Sequence, residues 1–276
     1  MAANLEFQRV NEPAGLRGFA NLFRKESRAW WRTRRGWLNA LLWPLALGGF
    51  VSFITFVVPA VAVRLDDPIV ADYGGEVAFG LMMGVSIFFE LGIQAVAVGI
   101  VILGQDLIIG EVQSGIAEWL LSKPVARRAY ILAKLAATLL AVALLLIALP
   151  ALVGYLIFTI RLGSPYPLTL FLAGVGIMSL HSLFYLTLVI LLGSVFKGRG
   201  PILGISLGSL LGGVVLGGVI QPLAYVTPWI LYKAASLVAT GEAVPDGMLT
   251  APLISTAVWC LVFVLVALFK FERVEF

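Results

Sequence analysis

Glu90 and His181 fall near the middles of two long apolar runs, and Gln94 lies one helical turn from Glu90 on the same face. An ionisable group at mid-bilayer is costly, so it marks a function by default and faces protein or a water-filled cavity. Paired at equal depth, Glu90 and His181 have the chemistry of a proton relay or a substrate contact. The alternative is a neutral glutamic acid hydrogen-bonded between helices. One histidine with no ligand cluster around it argues against a metal site.

A second group of polar residues is packed into "GEVQSGIAEWLLSKPVARRAYILAK", Gly110 to Lys134, between two apolar runs. The spacing predicts one helix over about 110–123. Val112, Ile116, Trp119 and Leu120 fall at i, i+4, i+7 and i+8 on one apolar face, with Glu111, Ser114, Glu118 and Ser122 opposite. Pro124 ends the helix, since it supplies no N–H and disfavours a helical residue before it. Arg127 and Arg128 then sit at headgroup level, and Lys134 is expected to snorkel there too. The result is a short amphipathic helix joined rigidly to two spans. A cytoplasmic loop must be polar in any case, yet this one is more patterned than solubility requires. Nucleotide chemistry has no counterpart: no G-x-x-x-x-G-K-[ST] occurs, and "GSVFKGRG" (Gly193 to Gly200) lacks its spacing and preceding strand.

The elements that must position these residues are membrane helices. Of 276 residues, 61% are hydrophobic and 12% charged, with mean hydropathy +1.02. Soluble domains carry about 45–50% apolar and about 25% charged residues. Six runs reach the ~20 residues that a helix needs to cross a bilayer: 37–63, 77–104, 131–160, 167–195, 201–226 and 250–270. The expected fold class is an all-α integral membrane protein. Cys260, the single cysteine, excludes an intrachain disulfide and reads as a small core residue.

The net charge of +4 is explained by where the bases stand, not by a nucleic-acid partner. One side collects Arg9, Arg17, Arg24, Lys25, Arg28, Arg32, Arg34 and Arg35, then Lys123, Arg127, Arg128 and Lys134, then Lys197, Arg199, Lys270 and Arg273. The other holds Arg64, Arg161 and Lys233 beside the acidic group Asp66, Asp67, Asp72 and Glu76. By the positive-inside rule both termini are cytoplasmic. Residues 16–35 are expected to form an interfacial helix. Leu16, Phe19, Leu22, Phe23, Trp30 and Trp31 cluster opposite Arg17, Arg24, Lys25, Arg28, Arg32 and Arg35. In the fifth run Gly200, Gly204, Gly208 and Gly212 recur at i+4, with Gly213 and Gly217 as a second ridge. Such spacing lets helix backbones approach closely in lipid, either between two copies or within one chain.

The stretch "DLIIGEVQSGIAEWLLSKPVARRAYILAK" resembles the hallmark of type-2 ABC exporter permeases, especially the branch of the nitrous-oxide-reductase maturation permease. The shared pattern is Asp106, then Gly110-Glu111, Gly115, Leu120-Leu121 and Pro124, a basic residue at Arg127 or Arg128, Ile131-Leu132 and Lys134. "TPWILYKAASL" (Thr227 to Leu237) is similar to the family's Pro-containing outer turn before the last helix. Ile116 departs from the threonine common in the family.

The resemblance implies a type-2 ABC exporter permease fold. It comprises a cytoplasmic N-terminus over 1–36 with the amphipathic helix, six membrane helices over 37–270 and a cytoplasmic tail over 271–276. It also implies a cell-membrane location, a homodimer or close heterodimer of permeases, and two ABC ATPase chains that hold ATP and Mg. This chain itself would bind no cofactor and be no enzyme. The segment about 110–123 becomes the coupling helix, and ATPase contact falls to Asp106, Glu111, Val112, Ile116, Glu118, Trp119, Leu120, Pro124, Arg127 and Arg128. Gly204, Gly208, Gly212 and Gly213 become the dimer packing. Two other functions remain open on the residues alone: an ATP-driven transducer acting on an outer partner, and a proton-coupled secondary transporter using Glu90 and His181.

Overall fold

A computed structural model describes residues 14–273. Arg9, counted above among the basic residues, and residues 274–276 of the tail lie outside the described residues. Six helices are long and apolar enough to cross a membrane. With the connecting elements, the order is α1 (Phe19–Trp31), α2 (Arg34–Arg64), α3 (Glu76–Gly104), α4 (Ile109–Gln113), α5 (Ile116–Leu121), α6 (Arg127–Leu162), α7 (Leu168–Val195), α8 (Arg199–Val219), α9 (Gln221–Val226), α10 (Leu231–Thr240) and α11 (Thr250–Glu272). An even number of spans puts α1, the α4–α5 connection and the end of α11 at one end of the bundle, called the terminal end below.

Two long spans carry a π-turn, at Phe53–Val57 and at Val142–Ala148, and each lies just before a proline, Pro59 and Pro150. Proline offers no N–H to the carbonyl four residues back, so the helix widens by one residue at that point. The freed carbonyl of Thr55 faces α3, where a Cβ on Gly80 would come within 2.4 Å of it.

The core is centred on α7, two-thirds of whose most apolar window is buried, and which packs against α3, α10 and α11. Phe88 and Phe89 of α3, Phe158 of α6 and Phe171 of α7 interlock there, with ring centroids 5.0–6.2 Å apart. Offset and edge contacts at that separation are the favoured aromatic geometries. Gly154 and Gly174 make the room, since a Cβ on either would lie under 3 Å from a Phe88 or Phe89 ring. Spans α8 and α11, by contrast, leave most of their surface outside the fold.

Three expectations need correction. The amphipathic helix ends at Trp31, and Thr33 caps a new helix by accepting from the Arg35 N–H, so Arg35 belongs to α2. The fifth span stops at Val219, and residues after Ile220 form the separate α9. The stretch read as an outer turn is largely α10, whose Leu231, Ala234, Ala235 and Ala239 are buried against α3 and α7. Its run of alanines carries the small side chains that allow this close approach.

The glycines of α8 divide into two sets. Nothing lies within 4 Å of a Cβ built on Gly204, Gly208 or Gly212, whereas one on Gly213 would meet the Trp229 ring at 2.2 Å. Gly213 therefore packs within this chain and does not extend the open row. Gly213→Ala is expected to cost about 1–3 kcal/mol through overpacking. Gly208→Ala should leave the isolated chain no less stable, since alanine favours a helix by up to about 1 kcal/mol. Thermal unfolding of the two variants in lipid nanodiscs checks the contrast.

Candidate functional site

The segment expected to be one helix is two. Gly115 adopts the left-handed conformation at φ 73°, which glycine tolerates and other residues resist, and it separates α4 from α5. The predicted apolar face survives this break only in part. Val112, Ile116 and Trp119 are exposed, while Leu120 packs against the core. Trp119 is 61% exposed, and the Lys123 ammonium stands 3.5 Å from its ring centroid. Glu118 and Pro124 are also exposed. Beside Val112 a cavity of about 360 Å³ opens between α4 and the ends of α7 and α11, lined by Ile109, Gln113, Phe196, Lys197 and Phe271 among others.

Glu111 does not join this surface. It points inward to a cluster that ties three elements together. The Lys134 ammonium, only 2% exposed, lies 3.0 Å from Glu111 Oε2 and 3.2 Å from Glu26 Oε1. Tyr130 donates to Glu111 at 2.8 Å, and Lys25 of α1 pairs with both glutamates. Two cations and two carboxylates close to a neutral group. The expected snorkelling of Lys134 is thus replaced by internal pairing: its chain turns into the fold, where Glu26 and Glu111 supply the counter-charge that water would have supplied at the surface. For Lys25, partial burial works against the charge, but the bond to Glu111 and the field of Glu26 outweigh it and hold the ammonium above the ordinary lysine pKa.

Asp106, Arg127 and Arg128, also expected at the site, are tied by more exposed contacts of their own. Arg128 pairs with the Glu272 carboxylate at the end of α11, and Arg127 donates to the Glu272 carbonyl at 2.8 Å. They do not simply sit at headgroup level. Asp106, just past α3, receives both Nε and Nη2 of Arg199 at 2.9 Å, a fork that ties the end of α3 to the start of α8. Arg35 donates to the Leu103 carbonyl at 2.6 Å and stacks over Trp30. The Ala126 N–H bonds the Arg17 carbonyl, joining the connection between α5 and α6 to the start of the amphipathic segment.

The intramembrane residues are placed differently from the expectation. Helices α3 and α7 run parallel, with Gly92 beside Met178 and Gly104 beside Val189. His181 therefore lies roughly 9 Å further along the bundle than Glu90, at 1.5 Å of rise per residue. No hydrogen bond or ion pair joins them among the described residues. Glu90 and Gln94 are half-buried on α3, while His181 is buried with its ring 5.0 Å from Tyr185.

What sequence reading missed was Glu26, Tyr130 and Glu272 as partners. The signal was present, because Glu26 is the single acid on a strongly basic helix.

The whole of this geometry falls within one family pattern, since the family model for "ABC-2 family transporter protein" matches residues 20–276. The chain belongs to the ABC-2 transporter family. No curated protein matches it. As an ABC-2 permease it is a multi-pass membrane subunit, and its terminal end carries the α4–α5 surface that its ion cluster holds in place. Lys134→Met would leave two carboxylates without their buried cation, and the expected loss of stability is about 3–5 kcal/mol. Lys25, nearly half exposed, should cost under about 1 kcal/mol when changed to Ala. Denaturation of both variants in nanodiscs tests the ranking, and equal losses would place the anchor elsewhere.

Proposed function

We propose that this ABC-2 permease exports its substrate by converting ATP hydrolysis in a separate ABC ATPase into movement of α3 and α6, through the α4–α5 pair. The observation that carries this is the contrast within one short segment: Val112, Ile116 and Trp119 project outward while Glu111 is clamped inward. An exposed tryptophan and two aliphatics form the kind of anchor that dominates protein interfaces. Glu118 at their edge would set register more than affinity. The cavity beside Val112 offers room for a reciprocal apolar side chain from the ATPase.

In this reading ATP and Mg reside in the ATPase, two copies of which serve two permease copies. The open row Gly204, Gly208 and Gly212, with exposed Leu211 and Val215 alongside, supports α8 as the seam between the permeases. The surplus of Lys and Arg at the terminal end supports a cytoplasmic location for both termini in the cell membrane. Kinship to the nitrous-oxide-reductase maturation branch is supported by the pattern from Asp106 to Lys134. The proton-coupled alternative is disfavoured because Glu90 and His181 do not meet.

Trp119→Ala should leave the permease folded, since the side chain supports nothing inside it. It should also weaken association with the ATPase by about 2 kcal/mol, roughly 30-fold in Kd. Titration of the purified ATPase onto permease nanodiscs measures this. Unchanged affinity and unchanged stimulation of hydrolysis would remove α5 from the interface.

A further inference from the structure

A group of polar side chains lies inside the membrane-spanning bundle, away from the coupling surface. His181 and Tyr185 stand one turn apart on α7 and are at most 1% exposed. The Tyr185 hydroxyl lies beside Ser209 of α8 and the Trp229 ring. Trp229 reaches this place because Gly213 has no Cβ to exclude its ring. Despite that proximity the Tyr185 hydroxyl and the Trp229 Nε1 form no well-aligned hydrogen bond, and the His181 Nδ1 and the Ser206 Oγ, one turn along α8, are buried without a partner.

So many unsatisfied groups in one place are unusual. Each costs free energy when withdrawn from water, and in a bilayer core no solvent is at hand to relieve it. Most buried polar atoms have a partner, protein or ordered water. The four come from α7, α8 and the turn before α10, so one guest among them can satisfy several at once. Trp229 can only donate, whereas the tyrosine and serine hydroxyls both donate and accept. The matching guest accepts from the indole and exchanges bonds with the hydroxyls, as an O–H group does. A charged guest would lack a counter-ion, since none of these side chains takes part in an ion pair among the described residues. A cavity of about 80 Å³ is lined by Val214, Gly217, Ala224, Tyr232 and Lys233 together with Trp229. That is room for several waters at ~10–15 Å³ of probe-occupied space each.

We infer that Tyr185, Ser209 and Trp229 frame an intramembrane binding site for a neutral hydroxyl, with Trp229 also bordering the neighbouring cavity. The hydroxyl is that of water or of the transported molecule. The site stands on these contacts alone and does not depend on which partner drives the chain.

Tyr185→Phe tests it, because the swap removes one oxygen that makes no well-aligned hydrogen bond to the protein. With a guest bonded there, the thermal midpoint in defined-lipid nanodiscs falls by about 2–4 °C, the shift that losing one net hydrogen bond gives in a chain of this size. Without one, deleting an unsatisfied hydroxyl leaves the midpoint unchanged or raises it. A high-resolution density map of the parent chain decides the matter even if the variant fails to fold. A compact peak within hydrogen-bond reach of Tyr185 Oη that persists in defined lipids assigns water. An extended density in preparations from native membranes, lost in defined lipids together with the Tyr185→Phe effect, assigns the transported molecule. No density in either preparation, or a midpoint unchanged or raised in both, overturns the site.

Discussion

Lys134 is the constraint on which the terminal end is built. A lysine ammonium held within a helix bundle is tolerated only with carboxylates in contact, and this chain supplies them from two directions. Glu26 arrives on the amphipathic helix and Glu111 on α4, so one buried cation fixes both against α6. Tyr130 shares Glu111 and stacks its ring on Phe271 of α11 at 5.1 Å, which extends the same network to the last span. Both glutamates rely chiefly on Lys134, because Lys25, their second cation, is nearly half exposed.

Rigidity gained there has a mechanical consequence. In the proposed function α4 and α5 receive force, and such a surface must not deform locally if the force is to reach the membrane helices. Here the exposed side chains of α4 and α5 stand on a base tied to α1, α6 and, through Arg127 and Arg128, to α11. The Asp106–Arg199 fork adds a tie between α3 and α8, but both its members are about half exposed. Exposed pairs contribute little and exchange readily with water. The terminal end thus combines one firm anchor with one latch that is easily parted.

The opposite half of the bundle is organised by shape instead of charge. Glycines and alanines at chosen points let aromatic rings and the short α10 enter between long helices, as Gly154, Gly174 and Gly213 show. Prolines at 59 and 150 widen α2 and α6, and both departures from ideal helix geometry follow from a missing N–H.

The sequence by itself determined the six spans, their approximate limits, the amphipathic entry and the exposed apolar residues Val112, Ile116 and Trp119. Each of these follows from local periodicity and from the length a bilayer demands, which neighbouring residues encode directly. Tertiary structure alone decided that Glu111 faces inward, that Lys134 is buried instead of snorkelling, and that Glu90 and His181 lie at different depths. It also decided that Gly213 serves Trp229 and not the open glycine row. These outcomes depend on which helix lies beside which and in what register, and a charge or a missing Cβ acquires its meaning only from the atom that three-dimensional packing brings opposite it.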